Sequence, residues 1–159
     1  MRLVTEDYRA LAEFRYQIRR FLSVSEEIAR NGGLRPQQYI LLLALRGLPA
    51  GKDPTIFVLA ERLKIRHNSA VELVNRLVKR GLIRRLRSKS DSRKVLIRLT
   101  YKGAALIENL VEKRFVQLHS SQPELVEALN RVLVRSNNKG SRRVTSASLS
   151  QACTELKGL

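Results

Sequence analysis

Between residues 55 and 100 the spacing of apolar side chains changes its period, and that change limits the possible folds more than any other feature of the chain. Thr55 is placed to cap a short helix, Ile56 to Leu63, and after a turn near Lys64-Ile65 a second periodic stretch runs to Arg80, where Gly81 stops it. Over Asn68–Lys79 the residues Ala70, Leu73, Val74 and Leu77 fall on one helical stripe, while Asn68, Glu72, Asn75, Arg76 and Lys79 fall on the other. Beyond Gly81 the period drops to two. Leu82–Arg87 and Lys94–Leu99 alternate apolar residues with arginine around a polar turn, Ser88 to Arg93, and read as a hairpin.

Two helices joined by a short turn and followed by a charged hairpin form a winged helix-turn-helix arrangement. Charge bears on what it is for. The chain of 159 residues carries 31 Lys and Arg against 14 Asp and Glu, a net of +17, and residues 60–102 alone hold 14 basic against 3 acidic side chains. Because these charges sit on periodic elements, they are held in a fixed pattern in space. A fixed cationic surface points to a polyanion, and to nucleic acid first, since each neutralised phosphate releases condensed counterions. The expected contacts are Arg66, His67, Asn68, Ser69, Glu72, Asn75, Arg76 and Lys79 on the second helix, which fits the major groove. Lys89, Ser90, Asp91, Ser92, Arg93 and Lys94 follow at the hairpin tip, where Arg93 can enter the minor groove with Asp91 as a brace that fixes its direction. Ser69-Ala-Val-Glu72 also fits a capping box, so serine and glutamate have a structural reading beside the functional one.

The rest of the chain reads as helices. Leu11, Phe14, Ile18, Phe21, Ser25 and Ile28 mark an amphipathic helix of about 20 residues, a spacing that suits a helix–helix dimer contact and ends at Asn31-Gly32-Gly33. Pro36 opens a densely apolar helix from Gln37 to about Leu48, and the glycine- and proline-rich segment 47–54 is a loop. Thr100 caps a long helix with Ala104, Ile107, Val111, Phe115 and Leu118 on one stripe, and Pro123 starts a last one. After Ser136 large apolar residues are scarce. The expected fold is mainly α with a small β-hairpin wing. It is a single domain over 1–136, with terminal helices at about 5–30 and 101–135, a DNA-binding core at about 36–100, and a mobile tail over 137–159.

Leu59-Ala-Glu-Arg-Leu63, Asn75-Arg-Leu77, Arg80-Gly-Leu-Ile83, Asp91-Ser-Arg93 and Leu99-Thr100 occur in an order and spacing that resembles the MarR family of bacterial transcription regulators, over roughly residues 8–135. The resemblance implies a homodimer with the terminal helices at about 5–30 and 101–135 as dimerisation helices, two winged domains reading an inverted repeat, and a small-molecule pocket between the dimer and DNA-binding regions. By that likeness Ser69 and its neighbours meet the major groove and Arg93 is the wing arginine. Lys64 stands where the family's turn often has glycine, Arg66 where serine often caps the recognition helix, and Arg35 where threonine often caps the helix before Gln37. A pocket of this kind offers Arg15, Tyr16, Arg19, Tyr39 and His119 as polar groups toward a small aromatic or anionic effector.

Other classes are excluded by what the sequence lacks. No apolar run reaches the ~18 residues of a membrane span. Arg2, Glu6, Asp7 and Arg9 leave no room for a signal-peptide core, so a cytoplasmic, nucleoid-associated protein is expected. One cysteine, Cys153, and two distant histidines form neither an internal disulfide nor structural zinc, and no cofactor is expected. With no phosphate loop, His-Glu-x-x-His or nucleophile elbow, the chain does not read as an enzyme. The expected function is a sequence-specific double-stranded DNA-binding transcription regulator, a homodimeric repressor on an inverted-repeat operator that a small ligand releases. The alternative is an RNA- or chromosome-associated structural protein without sequence preference.

Overall fold

A computed structural model describes residues 3–88, 91, 93–121 and 123–137. The chain divides into two compact units, one from Val24 to His119 and one from residues 1–23 together with 120–159. The first holds α2 (Pro36–Arg46), α3 (Ile56–Leu63), α4 (His67–Lys79), strands β1 (Ile83–Arg87) and β2 (Val95–Leu99), and the inner ends of α1 (Thr5–Asn31) and α5 (Tyr101–Ser121). The second holds the outer part of α1 and a helix over 123–137, here α6.

In the larger unit, three turns close by the same device. Leu34 N–H donates to Ala29 O and Gly33 N–H to Arg30 O; Ile65 and Lys64 repeat this on Ala60 and Glu61, and Leu82 and Gly81 repeat it on Leu77 and Val78. Each pair satisfies carbonyls that the preceding helix leaves open, and each needs a left-handed residue. Gly33 (φ 71°) and Gly81 (φ 66°) take that conformation without a Cβ clash, whereas the turn between α3 and α4 imposes it on Lys64 (φ 54°). The geometry holds because the cap bonds and the buried side chains on either side leave the chain no other path. Thr55 Oγ1 accepts the Val58 N–H at 3.3 Å, as a cap of α3 should.

The core of this unit is leucine and isoleucine: Leu41 and Leu42 from α2, Leu59 from α3, Leu73, Val74 and Leu77 from α4, Leu82, Ile83 and Ile97 from the hairpin, Ile107 and Leu110 from α5. The strands pair antiparallel from Ile83↔Leu99 to Arg87↔Val95. Pro54 O accepts the Ile97 N–H at 2.8 Å, fastening the 47–54 loop to the hairpin. Thr100 joins hairpin to helix: its N–H donates to Leu82 O, its hydroxyl to Gly81 O at 2.7 Å, and its Oγ1 accepts the Gly103 N–H. Gly103 is required there, since a Cβ on it would stand 2.0 Å from Leu82 O.

Several sequence expectations shift. The first helix spans 27 residues rather than about 20, and α2 stops at Arg46 rather than Leu48, where Gly47 donates to Leu43 O. Within α2, Ile40 and Leu43 stay exposed, so burial is on one side only. The buried stripe of α5 runs through Gly103, Ile107, Leu110 and Arg114, while Phe115, assigned to the stripe from the sequence, is 58% exposed. The close approach of Gly103 to Leu82 sets this rotation of the helix. In the smaller unit α1 and α6 contribute Gln17 and Ala128 as the only buried side chains among the described residues, and Arg135 Nε reaches Asp7 Oδ1 at 3.7 Å. Among the described residues no helix is long and apolar enough to cross a membrane. The tail expectation for 137–159 falls, beyond residue 137, outside the described residues, as does Cys153.

Candidate nucleic-acid interface

The face expected to read nucleic acid begins with the packing of α4. Its buried residues are Ala70, Leu73, Val74 and Leu77, the stripe that the sequence periodicity marks. With that side fixed against the core, the opposite side must face outward, and Arg66, His67, Asn68, Ser69, Glu72, Asn75, Arg76 and Lys79 are all exposed. The helix starts at His67 after Arg66 in extended conformation, with no side-chain bond at the cap. The capping-box reading of Ser69 and Glu72 is therefore overturned: Ser69 lies in the third helical position, and Glu72 instead accepts from Arg76 Nη2 at 3.3 Å. Amides of the first helical turn are left without a side-chain cap, which suits an anion at this end.

Asn75 does not stand alone. Its Oδ1 accepts from Arg85 Nη2 on β1 at 2.6 Å, so the middle of the helix and the root of the hairpin are joined by a charge-assisted bond. At the C-terminal end Arg80 donates to Gln38 Oε1 and to Gly33 O, both at 2.9 Å, and Gln38 Oε1 also accepts the Arg35 N–H at 3.0 Å. Arg35 thus opens α2 through the glutamine's return bond instead of a threonine cap. These bonds line a crease where Arg30, Arg35, Arg76, Lys79 and Arg80 converge beside α4. Arg30, Arg35 and Arg80 were not among the expected contacts. The signal was available in their identity as arginines, but their convergence depends on the fold.

At the hairpin tip, Lys89, Ser90 and Ser92 lie outside the described residues. Asp91 Oδ1 accepts the backbone N–H of Arg93 at 3.0 Å and its carbonyl accepts Lys94 N–H. The brace thus acts on the turn and not on the guanidinium. Among the described residues no hydrogen bond or ion pair holds the exposed Arg93 side chain. Lys94 instead turns back, with its Nζ 3.2 Å from Asp53 Oδ2.

The expected effector residues divide between the two units. Arg15, Tyr16 and Arg19 are exposed on the outer part of α1, and His119 has no described side chain. Tyr39 is 5% exposed in the larger unit, beside Arg114 of α5, also 5% exposed. Burial pushes the Tyr39 hydroxyl above its usual value, and the Arg114 charge opposes that rise. Burial likewise lowers the Arg114 guanidinium from its usual value, with Tyr39 acting against the fall. A cation inside a helical core has no periodicity signature, so the sequence reading passed over Arg114.

Residues 32–94 match the sequence model of the MarR family. No curated protein matches by sequence. Among solved structures, a MarR family protein from Bacillus stearothermophilus is 26% identical, with 87% of this chain and 99% of that one covered at a TM-score of 0.62. A MepR mutant of S. aureus bound to an oligodeoxyribonucleotide is 18% identical, covering 97% and 99% at 0.54. CouR from Rhodococcus jostii RHA1 bound to p-coumaroyl-CoA is 24% identical, covering 73% and 82% at 0.55.

Proposed function

We propose that this chain, whose residues 32–94 match the MarR family of transcription regulators, is a homodimeric repressor of that family that binds an inverted-repeat operator. The MarR family match supports DNA binding and regulation; the operator, the dimer, the sign of regulation and the contact residues are our reading. The observation that carries it is the Asn75–Arg85 bond, which ties the outward row of α4 to the root of the hairpin that bears Arg93. A helix for the major groove and an arginine for the adjacent minor groove are then presented together. The crease at Arg35, Lys79 and Arg80 adds phosphate contacts that position the helix without reading sequence.

Dimerisation is supported by the smaller unit, whose helices expose Tyr8, Leu11 and Tyr16 on α1 and Val126, Leu133 and Val134 on α6. Exposed apolar residues in such number mark an interaction surface, and a two-fold operator calls for a two-fold protein. The effector reading rests on the buried Arg114–Tyr39 pair, a cation and a phenol able to orient an anionic aromatic molecule, and CouR with its bound p-coumaroyl-CoA supports it.

The test is selection of duplexes from a random pool at near-physiological salt. A palindromic site with halves about one helical turn apart is expected. No preferred sequence, or equal binding to RNA, would overturn the reading in favour of a structural nucleic-acid protein. On the selected site Arg93→Ala is expected to cost about tenfold in affinity, roughly 1.4 kcal/mol, and an unchanged affinity removes the wing arginine from the interface.

A further inference from the structure

We infer that the cleft beside the hairpin root, between the 47–54 loop and strands β1 and β2, binds a small organic anion, its carboxylate or phosphate held by Arg84 and Arg98 and its apolar body lying on Leu48 and Leu86. The strand register sets Arg84 directly opposite Arg98. Residues so paired leave the sheet on the same face with Cβ atoms about 5 Å apart, and like charges there repel. Among the described residues neither guanidinium has a hydrogen bond or ion pair. The acid in the lining, Asp53, is paired with Lys94 at 3.2 Å, and the lining residue Arg46 is paired with Glu108 at 2.8 Å. The neighbouring Arg85, one residue along and therefore on the other face, is spent on Asn75. Arg84 and Arg98 thus point away from α4, toward a cleft that supplies no partner.

An oxyanion between two guanidiniums removes that conflict and gains charge-assisted bonds to both. The cleft has about 800 Å³, within the roughly 300–1,000 Å³ of small-molecule sites, and Leu45, Leu48 and Leu86 line it beside the arginines. Its wall is already in place, because the Pro54 carbonyl holds the loop to Ile97 of β2. A duplex phosphate has the same oxyanion chemistry but no apolar body for the leucines, which favours a free small molecule over the nucleic-acid backbone.

The inference does not rest on the operator reading, since small-molecule binding is measured without DNA. The full chain, labelled with nitrogen-15, is titrated with naphthoate and with phenyl phosphate while backbone amide shifts are followed. Saturable shifts are expected at Leu48, Arg84, Leu86 and Arg98 with at least one of the two probes. The double variant Arg84→Gln/Arg98→Gln is expected to weaken binding at least tenfold, and Arg84→Lys/Arg98→Lys to retain part of it. Shifts confined to α1 and α6, or an affinity untouched by the glutamine variant, overturn the proposal. If the glutamine variant loses its native spectrum, the wild-type shifts and the lysine variant decide. The duplex arm separates the sources: a salt dependence reduced by about 1.8 in log–log slope in the glutamine variant, without naphthoate or phenyl phosphate shifts, gives the arginines to two DNA phosphates and overturns the small-molecule site.

Discussion

The two units of the chain use helices of similar kind to opposite ends. In the larger one the apolar stripes meet, so that Leu41, Leu42, Leu59, Leu77, Ile97 and Ile107 are fully removed from solvent. At roughly 1.5–3 kcal/mol for each such side chain, this unit has the means to hold α4 and the hairpin in place by itself. In the smaller one Gln17 and Ala128 alone are buried among the described residues, while Leu11, Tyr16, Leu133 and Val134 remain exposed. The lesson is that amphipathic patterning specifies a buried face without saying which molecule buries it. The larger unit closes on its own chain; the terminal helices leave apolar side chains exposed.

The largest expected effect breaks this comparison if it fails. Leu77→Ala removes a fully buried side chain from α4 and should cost about 3–4 kcal/mol in urea unfolding. Leu133→Ala, on an exposed site of α6, should cost under about 0.5 kcal/mol at dilute monomer yet shift the monomer–dimer balance in sedimentation. Equal costs for the two at dilute monomer would mean that the units do not differ as described. Gly103→Ala comes next. In an ordinary helix this change gains about 1 kcal/mol, but here the new Cβ meets Leu82 O at 2.0 Å, so a net loss of about 2 kcal/mol is expected by thermal unfolding. A gain would show that the hairpin root yields.

Much of the larger unit was legible in the sequence because its rules are local. The buried stripe of α4, the Thr55 and Thr100 caps and the hairpin all follow from spacing within one element. The phase of α5 was not legible, because the contact that sets it, Gly103 on Leu82, joins elements. Nor was Arg114, whose burial runs against its residue type. At the candidate interface the exposed row of α4 was readable, whereas the Asn75–Arg85 bond and the Arg30–Arg35–Arg80 crease arise from residues that folding brings together. Lys64 shows both sides: its place in a turn was plain, and the strain is visible only in its φ of 54°. Two sister turns use glycine, so Lys64→Gly should stabilise the larger unit by about 1 kcal/mol in urea unfolding, less the added freedom of the unfolded chain. A loss would mean that the lysine side chain supplies more than the backbone strain costs.

The smallest effect at neutral pH concerns Tyr39, and it sharpens the comparison by asking how dry the larger unit is. Burial raises its pKa above the ordinary 10.0, against a lesser lowering by Arg114. In the window between the ordinary value and the raised one, the unfolded chain has released the phenolic proton and the folded chain still holds it. The unfolded state then binds fewer protons, so stability is fully present below pH 10 and falls as pH rises through the window. Arg114 is displaced the other way, downward by burial, and contributes a slope of opposite sign. Tyr39→Phe should therefore leave the urea midpoint little changed below about pH 10 and flatten its decline as pH rises above that value. If the variant declines as steeply as the parent, water reaches the Tyr39–Arg114 pair, and the contrast between a closed unit and an open one weakens at that pair.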